Sequence, residues 1–318
     1  MNTINKLKVI ELFAGLGAYS KALKRLNLDF EVLAAIENDE KTIHSYNLLH
    51  NTNYQSIDIT TVDEKSLPDC DIICYSPPCQ AFSCSGKQLG FDDKRGILFF
   101  DALRIIKEKK PKYCMMENVK GLTQKKFEQE FKSMLDSLKE VGYTNYWKVI
   151  NAKDYGIPQN RERVFVISIR NDINQEFKFP EPIPLKFKLK DILESDAELP
   201  ILHNIYGGFK ETKPRIFEEY SPTIRTAAGG GHIPSVYYKE YAPTLRSGRK
   251  GLKVINGRET RNLTTLEAFR LMDYDDEDYY ILKESGFSDT QLYRFAGNSI
   301  VVNVLERLFV ELFSLNTQ

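Results

Sequence analysis

Between residues 8 and 169 the chain alternates short apolar runs with amphipathic stretches, an order that few folds accommodate. The runs KVIELF (8–13), VLAAIE (32–37), DIICYS (71–76), YCMMEN (113–118), residues 146–151 and RVFVISI (163–169) have the length and apolar density of buried strands. Residues 20–26, 40–50, 98–109 and 128–141 carry apolar side chains at helical spacing. Strands that alternate with helices predict an α/β fold: a parallel sheet with helices on both faces. Ligands of such sheets bind beyond the carboxyl ends of the strands, so chemistry is expected in the residues just after each apolar run.

The character changes near Phe179, where FPEPIPLKF reads as a boundary. Residues 186–262 lack long helical periodicity and hold glycine clusters at Gly207–Gly208 and Gly229–Gly231, which predicts a small, loop-rich, mostly β domain. Residues 264–272 and 298–313 read as helices, the last apolar on one face and expected to pack back on the first domain. The expected division is therefore 1–184, 185–263 and 264–318. Residues 206–261 hold 11 Lys and Arg against 5 Asp and Glu in a chain of zero net charge, a basic patch suited to a polyanion that must be bound and released. The five cysteines form no CxxC pair and only four histidines accompany them, so no metal site is expected. An odd cysteine count without a secretory signal points to the cytoplasm. No apolar run approaches the roughly 18–20 residues of a membrane span.

Four segments carry chemistry. ELFAGLGAYSKAL places Gly15 and Gly17 in a turn between strand and helix, and Glu37 ends the next strand 20 residues past Gly17, where an acid can hold ribose hydroxyls. In YSPPCQAFSCSGKQLGF, Pro77 and Pro78 stop a strand and set the thiol of Cys79 at the ligand edge, ahead of a polar, glycine-bearing loop suited to closing over a substrate. Cys70, Cys74 and Cys114 read as small buried hydrophobes. In MMENVKGL, Glu117 faces the same edge; a carboxyl there can bond N3 and the exocyclic amine of a pyrimidine, with partial burial favouring the protonated form. In YGIPQNRERVFVI, Arg161 and Arg163 alternate at the start of a strand and are expected to share one face, where they bind a base carbonyl and a phosphate or position Glu117.

The ordered set FAGLG, PPCQ, ENV, QNRER and GNS closely resembles the DNA cytosine-5 methyltransferases of bacterial and phage restriction–modification systems, over nearly the whole chain. The resemblance implies a Rossmann-like S-adenosyl-L-methionine-binding domain, a small target-recognition domain and double-stranded DNA as substrate. It makes Cys79 the nucleophile at carbon 6 and Glu117 the proton donor at N3, with Arg161 and Arg163 supporting a cytosine flipped out of the duplex. Phe13, Gly15, Leu16, Gly17, Glu37, Asn38, Asp58, Ile59, Pro78, Leu98, Asn298 and Ser299 match the cofactor-binding positions. Three departures stand out: Asn38 replaces an aromatic residue that often stacks on adenine, Ile57 replaces a glycine before Asp58, and Ala18 replaces the third glycine of the first motif. Ser83, Ser85, Lys87 and Arg95 of the loop after Cys79 are expected to contact DNA.

Sequence choice is expected in two loops, 221–234 and 243–253, which open with the echoing segments SPTIR and APTLR. Arg225 and Arg246 would each read a guanine, while Arg249, Lys250 and Lys253 meet phosphates. The chain is expected to act as a monomer, with any cognate endonuclease a separate protein. A transfer-RNA enzyme of the same fold would carry a Cys-Phe-Thr element that is absent, and an adenine-amino enzyme would have an aromatic ring where SPPC has its thiol. A catalytically dead DNA-binding module would not need the full catalytic set.

Overall fold

The computed structural model describes residues 6–78, 98–203, 214–224, 233–238, 253–255 and 258–315. Six of the apolar runs form one sheet: β1 (Leu7–Leu12), β2 (Phe30–Ile36), β3 (Ile72–Tyr75), β4 (Tyr113–Val119), β5 (Tyr143–Asn151) and β6 (Glu162–Arg170), in the order β2-β1-β3-β4-β6-β5. The parallel pairs β1–β2, β1–β3 and β3–β4 bring Leu12, Tyr75 and Met116 into one row. The sheet is not parallel throughout, as the alternation predicted, because β6 runs antiparallel to β4. The reason is the connection: β5 and β6 are joined by a short segment with a single 3-10 turn at Ala152–Asp154, and a parallel return needs a crossover of about a dozen residues or more.

Alternate residues of each strand face opposite sides. Ile10, Leu12, Ile73, Tyr75, Cys114 and Met116 pack against Phe99, Ala102, Ile105 and Ile106 of α3 (Leu98–Lys109) and against Phe131, Met134 and Leu138 of α4 (Glu128–Glu140). Burying each of the larger side chains is worth roughly 1.5–3 kcal/mol. Residues of opposite parity, Ala35 among them, meet Ile43 and Tyr46 of α2 (Glu40–His50). On α1 (Ala18–Arg25), Tyr19 packs edge-on against Phe309 at 6.5 Å, and Arg25 bonds Glu306.

The chain divides into two compact units, Met1–Ile150 with Glu162–Glu181 and Leu305–Gln318, and Asn151–Arg161 with Pro182–Val304. The second holds α5 (Leu189–Ile192) and an antiparallel sheet of β7 (Ala197–His203), β8 (Arg215–Phe217), β9 (Ser235–Tyr238), β10 (Lys253–Ile255) and β11 (Arg258–Asn262), in the order β10-β11-β9-β7-β8. It continues through α6 (Thr265–Leu271), α7 (Asp276–Glu284) and α8 (Asp289–Asn298) to the start of α9 (Val302–Leu312). The apolar pattern did not reveal α7 or α8. The acidic run at 273–278 is not merely surface charge: Asp275 is the N-cap of α7 and Asp278 its reciprocal partner, and Ser288 with Gln291 opens α8 in the same way. The helix expected at 298–313 is broken, since Asn298 ends α8 and α9 starts at Val302.

Glu267 is the hub of this unit. It is fully buried and accepts from Arg261 Nη1 at 2.9 Å and Nη2 at 2.8 Å, from the Thr264 amide at 2.7 Å and from the Glu194 amide at 2.9 Å. Glu267→Ala leaves the mostly buried Arg261 with the exposed Asp196 as its remaining counter-ion among the described residues and should lower unfolding free energy by about 3–5 kcal/mol in urea denaturation. Asp196→Ala should cost less than about 1 kcal/mol.

Candidate active site

The segment after β1 turns through three residues of positive φ: Phe13 at 56°, Gly15 at 58° and Gly17 at 74°. Gly17 caps α1, and a Cβ on it would stand 2.2 Å from His50 Nε2 and 2.7 Å from Tyr46 Cε2, so only glycine fits. The turn is held from two sides. Glu37 Oε2 accepts from the Gly15 amide at 3.1 Å, and His50 Nε2 lies 2.9 Å from the Leu16 carbonyl. The other oxygen of Glu37 accepts from the Asp39 amide at 3.0 Å. Burial pushes the Glu37 carboxyl above its ordinary range, and the backbone donors oppose that rise. Both oxygens keep lone pairs for a further donor.

Next to this turn, Asp58 Oδ1 accepts from the Thr60 amide at 2.9 Å and caps the short turn Ile59–Thr61. Arg104 on α3 fastens that segment through the carbonyls of Ile59 and Val62 and the carboxylate of Glu64. Asn38 is exposed, Ile59 is buried, and Pro78 and Leu98 are half-buried. Phe13 and Leu98 pack against the main core.

Glu117 sits near the end of β4, largely buried, with Oε1 3.0 Å from Arg163 Nε. The antiparallel register makes this pair: Arg163 lies opposite Val119, two residues beyond Glu117 on the same face. The guanidinium fixes the carboxyl's direction. Asn118, buried beside it, donates from Nδ2 to the Pro77 carbonyl at 3.2 Å. Tyr19 places its hydroxyl 3.4 Å from the Tyr75 carbonyl and 3.2 Å from Ser76 Oγ. The segment that leads into Cys79 is thus tied to the strand that carries Glu117 and to the helix that follows the glycine turn. Sequence reasoning missed Tyr19 and His50 as supports. A tyrosine in the first turn of the helix that follows the glycine turn was the available signal for the first; nothing local marks the second.

The two arginines have different partners. Arg163 is inside β6, whereas Arg161 precedes it, so strand alternation does not apply. Arg161 is nearly buried and donates to the carbonyls of Ile224, Gly297 and Ser299 at 2.9, 2.9 and 2.7 Å, all within the second unit. That unit also holds Asn298, exposed at the end of α8, and Ser299, whose Oγ lies 2.9 Å from the Tyr274 hydroxyl. Cys79, Ser83, Ser85, Lys87, Arg95, Arg225, Arg246, Arg249 and Lys250 lie outside the described residues, and of Lys253 only the backbone, in β10, is described. Burial pushes the thiols of Cys74 and Cys114 far up and that of Cys70 to about 12, so none of these three is a thiolate near neutral pH. Among the described residues no cluster of His, Cys, Asp and Glu is placed to hold a metal, and no helix is long and apolar enough to cross a membrane.

A model of the C-5 cytosine-specific DNA methylases matches residues 7–314. The chain is 39% identical over 310 residues to the type II methyltransferase M.HhaI of Haemophilus parahaemolyticus, covering 94% of this chain and 92% of that one. It is 34% identical over 305 residues to the type II methyltransferase M.NgoBI of Neisseria gonorrhoeae, covering 94% and 90%. Among solved structures, the Dnmt2 methyltransferase of S. pombe has a TM-score of 0.70 at 22% identity, over 98% of this chain and 100% of that one. The methyltransferase EhMeth of Entamoeba histolytica has 0.71 at 19%, over 98% of each. At these identities the structural likeness shows the fold.

Two outcomes follow from the turn and the strand beneath it. Gly17→Ala should destabilise the protein by about 1–3 kcal/mol in denaturant, and adding His50→Ala should recover part of the loss by clearing the space. Glu11, fully buried on β1, accepts from Ser20 Oγ at 2.5 Å through Oε1, while Oε2 has no partner among the described residues. Burial raises its pKa to about 7, partly offset by the Ser20 bonds. The folded state therefore keeps a proton that the unfolded chain sheds near pH 4–5. Stability should fall as pH rises from there to about 7, by up to about 3 kcal/mol, and then level off. Glu11→Gln should flatten that segment of the stability–pH curve.

Proposed function

The chain belongs to the C-5 cytosine-specific DNA methylase family, and on that premise we propose that it methylates a cytosine rotated out of the duplex, through a transient bond from Cys79 to carbon 6. DNA cytosine-5 methylation with S-adenosylmethionine as methyl donor follows from family membership itself. The residues present fit that donor. A Cβ on Gly15 would meet only the Phe13 carbonyl, at 4.0 Å, so a ligand can approach its backbone closely, and Glu37 keeps lone pairs for ribose hydroxyls. By the resemblance of their motifs to the family's, Phe13, Leu16, Gly17, Asp58, Ile59, Pro78, Leu98, Asn298 and Ser299 would complete the set of donor-binding residues. The donor supplies the methyl that carbon 5 receives.

The observation that carries the proposal is the bond from Asn118 to the Pro77 carbonyl, which ties the approach to Cys79 to the strand bearing Glu117. Carbon 5 of cytosine is too weak a nucleophile to react unaided. Addition of the Cys79 thiolate at carbon 6, with Glu117 bonding or protonating N3, makes carbon 5 an enamine carbon that takes the methyl. Loss of the carbon-5 proton and departure of the thiolate restore the ring. Arg163 keeps Glu117 oriented, and Arg161 acts through the backbone it holds. The loop after Cys79, with Ser83, Ser85, Lys87 and Arg95, contacts the DNA. Arg225 and Arg246 read guanines in a short site, while Arg249, Lys250 and Lys253 meet phosphates. The enzyme works as a monomer in the cytoplasm, and any cognate endonuclease acts separately.

Duplex DNA with 5-fluorocytosine at target positions should trap the wild type as a denaturant-stable adduct, because fluorine cannot leave as the proton does. Cys79→Ala should form none while still binding DNA; equal trapping by that variant would refute the assignment. Glu117→Gln should lower turnover by about 10²-fold or more with little change in donor affinity. Turnover near wild type would remove Glu117 from its role.

A further inference from the structure

Ile57 is a large apolar side chain left 38% exposed beside the most polar part of the donor site. Its amide donates to the Glu37 carbonyl at 2.8 Å, and Ser56 Oγ donates to the Asn38 carbonyl at 2.9 Å, so residues 56–57 run alongside the end of β2. The next residue, Asp58, spends Oδ1 on Thr60, while Oδ2 has no partner among the described residues. Arg104 anchors the segment that follows, through the Ile59 carbonyl at 2.5 Å. Ile57 thus stands on a fixed backbone between two exposed polar residues, Asn38 and Asp58.

An adenosyl group has three chemical demands. Its ribose hydroxyls need an acceptor, and its flat base needs apolar surface on a face and an acceptor at its exocyclic amine. Glu37 meets the first and Asp58 Oδ2 offers the last. Asn38, directly after Glu37, has a short polar side chain with little apolar area. We propose that Ile57 supplies the apolar wall against which the adenine of the methyl donor lies. The inference rests on the reading of Gly15, Gly17 and Glu37 as the donor site. It also makes two departures one feature: an isoleucine before Asp58 compensates for the lack of a ring after Glu37.

The test measures binding, with no methyl transfer, using S-adenosylhomocysteine by calorimetry and adenosine by competition. Ile57→Ala removes three carbons and should weaken both ligands by the same factor, about ten-fold. Ile57→Leu should stay within about three-fold of wild type. Ile57→Leu should melt close to wild type and Ile57→Ala only slightly lower, since Ile57 is 38% exposed. Wild-type affinity of Ile57→Ala overturns the inference, and so does a loss confined to S-adenosylhomocysteine, which would put the contact away from the base. A loss that Leu does not rescue and that comes with a lowered melting temperature overturns it as well. Glu37→Gln separates the two levels: if it weakens binding while Ile57→Ala does not, the donor site stands and the role of Ile57 falls. If neither variant changes binding, the reading of the donor site fails.

Discussion

The in-register parallel pairing of β1, β3 and β4 sets Leu12, Tyr75 and Met116 side by side, and with them the segments that leave each strand. The glycine turn, the diproline segment and Glu117 arise at one edge because the strands end together. A slip of one residue in any pair would turn Tyr75 or Met116 to the opposite face and break the layer they share with Phe99 and Ile106. The core therefore enforces the register that positions the edge. Hydrogen bonds then refine it: Asn118 to Pro77, Tyr19 to the end of β3, and Glu37 and His50 to the glycine turn.

Among the acids that lose much of their water, Glu267, Glu117, Glu37 and Glu11 are each compensated differently. Glu267 is met by a guanidinium and two backbone amides, and serves as mortar for the second unit. Glu117 is met by Arg163 near the end of β4. Glu37 relies on the Gly15 and Asp39 amides, which leaves it free to accept from a ligand. Glu11 is bonded by Ser20 of α1, with Tyr19, Tyr46 of α2, Tyr54 and Cys74 of β3 nearby, and burial raises its pKa to about 7. Charge compensation thus separates structural acids from those available for binding and chemistry.

Much of this was legible in the residues. The apolar runs marked all six strands of the main sheet to within a few residues, since buried strands leave little room for polar side chains. The direction of β6 was not legible, because it depends on the length of the link before it rather than on its composition. Helices α7 and α8 were hidden by acidic and polar residues that serve as caps, a signal read from hydrogen-bond partners rather than periodicity. Glu117 and Glu37 could be named from their places at strand ends. The partners of Arg161, the carbonyls of Ile224, Gly297 and Ser299, are up to 138 residues away in sequence and leave no local trace. The contact of His50 with Leu16 spans 34 residues and leaves no local trace. Ile57 was visible only as an oddity until its amide was seen on Glu37.

The central claim is that this edge methylates carbon 5 of cytosine in duplex DNA. Bisulfite sequencing of a random-sequence duplex, incubated with the purified protein and S-adenosylmethionine, tests it at single-base resolution. The account predicts unconverted cytosines confined to one short recurring sequence and dependent on the donor. Full conversion of every cytosine, with methyl groups recovered on adenine or on RNA instead, would contradict it.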